Sequence, residues 1–291
     1  MKTMENKPWQ MLDVIALAVA IIGWGGNFLA IRYAVLEVPS WTALGLRLLL
    51  VSVLLLPFLR SPMAHFKQYL LISAVLVPGH FGMLFLASQL TTNVGAVSLF
   101  IQLNPAFALL FAWLFLGERP GRRRIFGLAM AFSAMVILFY SPTLLGASLA
   151  LIVAALSAMF MGAYSVLLRT MNAQVRPVDI IGWTAFMGTP MIIAIGWWQD
   201  GNPVDIVAGI SFDGWLAVIY SALVSSIICH GSWAWLCRRH PVAQVVPYSL
   251  LVPVVAIGLS ALLLGEQLTG QMLISALVLC TGLLIIARAK G

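Results

Sequence analysis

Along this 291-residue chain, long apolar runs alternate with short clusters of charged and turn-forming residues. Each run approaches the ~20 residues that a helix needs to cross the hydrocarbon core of a bilayer. Ten such spans are predicted, at 11–33, 41–59, 68–89, 93–116, 124–140, 146–168, 179–198, 214–237, 242–264 and 270–287. Some connections, such as Thr91-Thr92-Asn93 and Ser141-Pro142-Thr143, are only a few residues long. Links that short force neighbouring helices to run antiparallel.

The polar clusters give the spans a direction. Lys2 and Lys7 precede the first span, and Arg60 and Lys67 follow the second. Arg119, Arg122, Arg123 and Arg124 follow the fourth, Arg169 and Arg176 the sixth, Arg238 and Arg239 the eighth, and Arg288 and Lys290 the tenth. These alternate junctions hold 14 of the 16 cationic residues. The opposite loops carry Glu37, Asp200, Asp205, Asp213 and Glu266 on or beside them. Basic loops stay on the cytoplasmic side, so an even number of spans with both termini in the cytoplasm is expected.

Composition narrows the class further. Charged residues make up 9% of the chain and hydrophobic ones 62%, against about 25% charged in a soluble domain. The net charge of +7 is scattered between apolar runs and forms no basic face interleaved with aromatics, which argues against nucleic acid as a partner. Cys229, Cys237 and Cys280 lie in or beside apolar runs, with no metal or disulfide spacing, so no metal and no cofactor is expected. The basic start followed by an apolar run resembles a signal peptide, but its length and the lack of a small-residue cleavage site make it a first span.

Two segments repeat at an offset of 148 residues. Pro105-Ala-Phe-Ala-Leu-Leu-Phe-Ala-Trp-Leu-Phe-Leu-Gly117-Glu118 matches Pro253-Val-Val-Ala-Ile-Gly-Leu-Ser-Ala-Leu-Leu-Leu-Gly265-Glu266. A weaker echo joins Gly25…Arg32 to Gly162…Arg169. Each half, 1–142 and 143–291, then holds five spans. Five is odd, so the second half enters the bilayer from the opposite side and the repeat is inverted. Transporters often use this architecture, with the substrate near the midplane between halves.

The stretch from Ala87 to Pro105, continuing to Leu116-Gly117-Glu118-Arg119, resembles the end of an EamA domain of the drug/metabolite transporter superfamily. Pro253 through Leu264-Gly265-Glu266 resembles a second copy, and Trp24-Gly25-Gly26-Asn27 with Arg32 and Arg47 resembles the start of the first. The resemblance implies a ten-helix carrier, usually an exporter of amino acids or related metabolites in a bacterial inner membrane. Small four-helix members use a glutamate in their first helix; here that helix has only Asp13, near its cytoplasmic mouth.

Ionisable groups inside a bilayer are costly and mark candidate function. His80 and His230 occupy corresponding spans at an offset of 150, beside Pro78-Gly79 and Gly231. Imidazole can bind a polar group or relay a proton, or it can simply tie helices together. Arg47 is deep enough to meet a substrate carboxylate or neighbouring backbone carbonyls. Arg32 is close enough to the outer face to snorkel. Asn27 and Gln102 add neutral hydrogen-bonding groups. Trp24 and Tyr164 lie at similar depth in the first helix of each half, and Tyr248 accompanies Pro247. Pro78, Pro105, Pro247 and Pro253 remove backbone donors and are candidate bending points. Glu118 and Glu266 follow helix-ending glycines and read as caps for the helices that come next.

The expected molecule is therefore an all-α, ten-helix secondary transporter with a cavity bounded by Trp24, Asn27, Arg47, His80, Gln102, Tyr164, His230 and Tyr248. Its partners are the lipid bilayer and a small molecule, amino acids first, and a monomer suffices. With Arg47 the one deep cation near the centre, a sugar phosphate fits less well than an amino acid; a carrier of another metabolite or drug class, such as a nucleotide sugar or a cationic drug, is the alternative. An intramembrane enzyme would need a His/Asp or metal cluster that the pattern lacks.

Overall fold

The computed structural model describes residues 8–169, 171, 175–240 and 242–289. Lys2, Lys7 and Lys290, part of the charge pattern, lie outside the described residues. Everything regular among the described residues is helical. Nine helices are long and apolar enough to cross a membrane: α1 (Met11–Glu37), α2 (Ser40–Phe58), α3 (Met63–Leu90), α4 (Val94–Leu116), α6 (Ser148–Leu168), α7 (Pro177–Gln199), α8 (Phe212–Arg239), α9 (Pro247–Leu264) and α10 (Gly270–Arg288). The span expected at 124–140 is also a helix, α5 (Arg122–Phe139, 18 residues). Its first turn is Arg122-Arg123-Arg124, and three charges in so short a helix set it apart from the nine.

The most extensive helix contacts follow one rule. Helix α2 lies along α7, and α5 along α10; α1 packs on α8 and α9, and α6 packs on α3 and α4; α4 and α9 touch each other. Exchanging the first five helices for the last five leaves this set unchanged. Small residues allow the closest approaches. A Cβ placed on Gly127 would lie 2.6 Å from the Gly282 carbonyl oxygen, and one on Gly282 would lie 2.7 Å from that of Gly127. Helices α5 and α10 thus meet backbone to backbone.

Proline decides where the helices depart from α geometry. Pro105 has no N–H for the Ile101 carbonyl, and α4 breaks there into Val94–Ile101 and Asn104–Leu116. The amide of Asn104 donates to that freed carbonyl at 2.9 Å. Its partner in α9, Pro253, frees the Ser249 carbonyl, which accepts from Gln102 Nε2 at 3.1 Å. The two broken helices are therefore joined at their breaks. In α3, Pro78 falls within a π-helical stretch, Val75–Gly82. The wider turn hands the carbonyl that Pro78 cannot serve to the following N–H. Asn104→Ala would leave the Ile101 carbonyl unpaired in an apolar setting. It is expected to destabilise the protein by about 1–3 kcal/mol, seen as a lower melting temperature in detergent.

Candidate functional site

Helix α8 carries the counterpart of the α3 irregularity, although no proline marks it: Ser221–Cys229 is also π-helical. His80 lies within the first widened stretch, and His230 directly follows the second. Each imidazole is held by a neighbouring carbonyl. His80 Nδ1 lies 3.2 Å from the Ser157 carbonyl oxygen and 2.9 Å from Ser157 Oγ. The Ser157 hydroxyl in turn donates to the His80 carbonyl at 2.8 Å. His230 Nδ1 is 2.7 Å from the Ser225 carbonyl oxygen, one π turn back. Nδ1 is thereby oriented in both rings, and Nε2 is the nitrogen left to meet another group.

Between these stretches lies Arg47 of α2, 1% exposed. Its Nε donates to Ser226 Oγ at 3.0 Å, and that hydroxyl donates to the Ser221 carbonyl at 3.1 Å. The guanidinium carbon stands 4.6 Å from the centre of the Phe81 ring and 5.7 Å from that of Phe85. Cation–π contact replaces part of the lost hydration, yet Nη1 has no partner among the described residues. Arg47 thus touches both stretches, one through Ser226 and the other through Phe81, the residue after His80. Asn27 is buried with its side-chain oxygen unpartnered. Trp24 meets the His230 ring edge-on at 5.1 Å and Trp233 at 5.3 Å.

Two expected members stand elsewhere. Tyr164 belongs to a separate apolar cluster with Tyr69, Ile72 and Met171. Tyr248 is 41% exposed and meets Trp9 at 5.5 Å. Ser157, Ser226, Phe81 and Phe85 were not foreseen, because nothing local in the sequence distinguishes them from packing residues. The spacing of Ser225 and Ser226 from His230 became meaningful only with the π turn.

The two glutamates have roles other than capping the helices that follow them. Glu266 accepts from Gly95 N at 3.0 and 3.2 Å and so caps α4, across the molecule, while α10 is capped by Thr269. Glu118 pairs with Arg169 at 2.9 Å. Other charges tie helix ends: Asp13 to Arg239 (2.9 Å) and His240 (3.1 Å), and Arg176 to Asp179. Asp179 also accepts from Arg60 N at 3.0 Å, and at the far end of the same helix pair Asp200 accepts from Thr42 N at 2.8 Å. Helices α2 and α7 are thereby pinned at both ends. Among the described residues no group of three His, Cys, Asp or Glu is placed to hold a metal.

Apolar helices of spanning length, packed in exchangeable sets around buried polar groups, define a multi-pass membrane protein of the transporter class. The EamA-like transporter family model matches residues 11–140 and again 148–288. The chain belongs to that family, and it is a transporter rather than an enzyme. It is 29% identical over 280 residues to a probable amino-acid metabolite efflux pump of Escherichia coli (strain K12), covering 94% of this chain and 93% of that protein. It is 26% identical over 282 residues to the uncharacterized inner membrane transporter YedA of the same strain, covering 94% and 88%. A probable terminal-alkyne amino-acid exporter of Streptantibioticus cattleyicolor is 24% identical over 285 residues, with 94% and 93% covered. A solved crystal structure shares the fold, with a TM-score of 0.62 at 20% identity over 94% of this chain and 96% of its own. The protein is thus a multi-pass protein of the bacterial inner membrane, with a small molecule as its substrate.

Proposed function

We propose that this protein exports neutral, chiefly hydrophobic or aromatic, amino acids by alternating access of two inverted five-helix halves, 1–142 and 143–291. All ten helices span the bilayer, and both termini face the cytoplasm. The exchangeable packing of the helices and the one-sided cationic junctions support this arrangement. A single chain holds the whole site.

The observation that carries the reading is Arg47, which reaches Ser226 of the π-helical stretch before His230 and lies on Phe81, next to His80, in the other. One fixed cation with an unpartnered Nη1 suits one carboxylate. Imidazole and amide groups suit an amine, and Trp24 with the surrounding apolar residues suits a hydrophobic side chain. A phosphate carrier would need further deep cations. Gln102, Pro105, Pro247 and Pro253 lie where α4 and α9 are interrupted, and with Pro78 they are the proposed bending points. The names of the relatives, an amino-acid metabolite efflux pump and an amino-acid exporter, agree with this substrate class.

Uptake of labelled amino acids by proteoliposomes, with and without a pH gradient, tests the proposal. Saturable uptake of leucine or phenylalanine is expected, and failure with every amino acid would refute the substrate class. His80→Ala and His230→Ala should each slow uptake by about tenfold or more, on the scale of a lost acid–base or binding group, at unchanged yield of folded protein. Full activity in both would reduce the histidines to helix ties.

A further inference from the structure

One pair of charges is closed on one face and parted on the other, and the local packing around both is the same. Gly25 in α1 presses on Val255 and Ala256 of α9; Gly162 in α6 presses on Phe107 and Ala108 of α4. Residues 107 and 108 are the partners of 255 and 256 at the 148-residue offset of the repeat. Each helix crossing is therefore built on the same register. Seven residues beyond each glycine stands an arginine, Arg32 or Arg169, and eleven beyond Val255 and Phe107 stands a glutamate, Glu266 or Glu118.

The two glutamates also share a turn. Gly117 and Gly265 adopt the left-handed conformation at φ 69° and 66°. The N–H groups of Gly117 and Glu118 both return to the Ala112 carbonyl, and those of Gly265 and Glu266 both return to that of Ser260. Equal crossings and equal turns should bring each arginine to its glutamate. On one face they do so, with Arg169 Nη1 at 2.9 and 3.0 Å from the two oxygens of Glu118. On the other face Arg32 and Glu266 are both on the wall of a cavity of about 440 Å³, with Asn93, Ala96 and Met272. There Arg32 donates to the Ser88 carbonyl at 2.9 Å, and Glu266 accepts from Gly95 N.

We propose that Arg32 and Glu266 are a gate. They close on each other when this cavity collapses, while Arg169 and Glu118 separate at the opposite face. The structure is then the state open on the side of Arg32, and transport alternates between two equivalent ion pairs. In closing, Arg32 leaves the Ser88 carbonyl, and Glu266 releases the N-terminal turn of α4, which is the helix broken at Gln102. This rests on the inverted-repeat reading above but on no choice of substrate.

Cysteine pairs test it in the full chain, with Cys229, Cys237 and Cys280 replaced by serine or alanine. R169C/E118C should cross-link on mild oxidation in membranes. R32C/E266C should also cross-link as the outer face closes, and the linked protein should stop transporting until it is reduced. Linkage of the first pair with none of the second, under any condition, would overturn the gate. Charge exchange gives a second measure. R32E and E266R alone should each lose about tenfold in transport, because like charges oppose closure, and R32E/E266R should recover most of it. A double variant as slow as either single one would also overturn the gate. Cross-linking needs no substrate, so it separates failure of the gate from failure of the amino-acid reading. An impermeant maleimide that reached E118C instead of E266C from outside would reverse the orientation and leave the cross-linking outcome intact.

Discussion

Arg47→Met is expected to lower transport by about a hundredfold without unfolding the protein. A guanidinium that is 1% exposed, with one nitrogen unpartnered, costs folding free energy. Its hydrogen bond to Ser226 and its contacts with Phe81 and Phe85 do not repay full burial. Methionine fills the same slot between the phenyl rings with an apolar chain of similar reach, so the melting temperature in detergent should hold or rise. Removing one partner of a buried charge pair costs about 2–5 kcal/mol of binding, and a hundredfold loss is about 2.7 kcal/mol. Transport by Arg47→Met at the parent rate would make Arg47 a helix tie and remove it from the substrate site. Arg47→Lys should restore little, because an ammonium cannot both reach Ser226 and lie flat on Phe81.

Gly127→Leu is the second large effect, and it is expected on stability. Of the three atoms that a side chain would meet first, two belong to the backbone of α10, the Gly282 carbonyl oxygen at 2.6 Å and Ile286 N at 3.2 Å, and the third is Ile286 Cγ1 at 2.9 Å. Backbone cannot rotate away as a side chain can, so α5 and α10 must move apart along their whole contact. A cost of about 3 kcal/mol or more is expected, at the upper end of overpacking, because small residues are what let membrane helices approach. The reading is the melting temperature of purified protein, with Gly127→Ala falling between parent and Leu. An unchanged melting temperature in the Leu variant would mean that the two helices do not pack at this register. The site lies away from α5 and α10, so transport per folded molecule should change less than yield.

Much of the candidate site was legible because depth in a membrane is legible. His80, His230, Arg47 and Asn27 stand out as polar residues within apolar runs, and lipid gives such residues no solvent. Their grouping followed from the repeat, which pairs the histidines at corresponding positions. The partners were not legible. Ser157 is 77 residues from His80 in the chain, and Ser226 is 179 from Arg47. Nothing near either serine separates it from the many small residues that help helices pack. Tyr164 and Tyr248 have depth and chemistry as suitable, and only the structure shows that one packs with the Tyr69 cluster and the other against Trp9. Depth is set by position along a helix, while direction is set by rotation about its axis, and neighbours decide that.

The glutamates mark the same divide. A carboxylate after a glycine turn predicts a cap, and Glu266 is one, but for α4 instead of α10. Pro105 and Pro253 announce two freed carbonyls; only the packed molecule reveals that Asn104 takes one and Gln102 reaches across to the other. The π-helical stretch in α8 had no proline to announce it.

The sequence by itself determined the helical class, the positions of the nine candidate spans and the family, because each rests on local hydropathy, on turn chemistry or on spacing along one chain. Only the tertiary structure decided which serine holds which histidine, which carbonyl meets which amide, and which of two equivalent arginine–glutamate pairs is closed. Those are choices between helices far apart in sequence. They depend on distances of an ångström or less between surfaces that the chain has first to bring together.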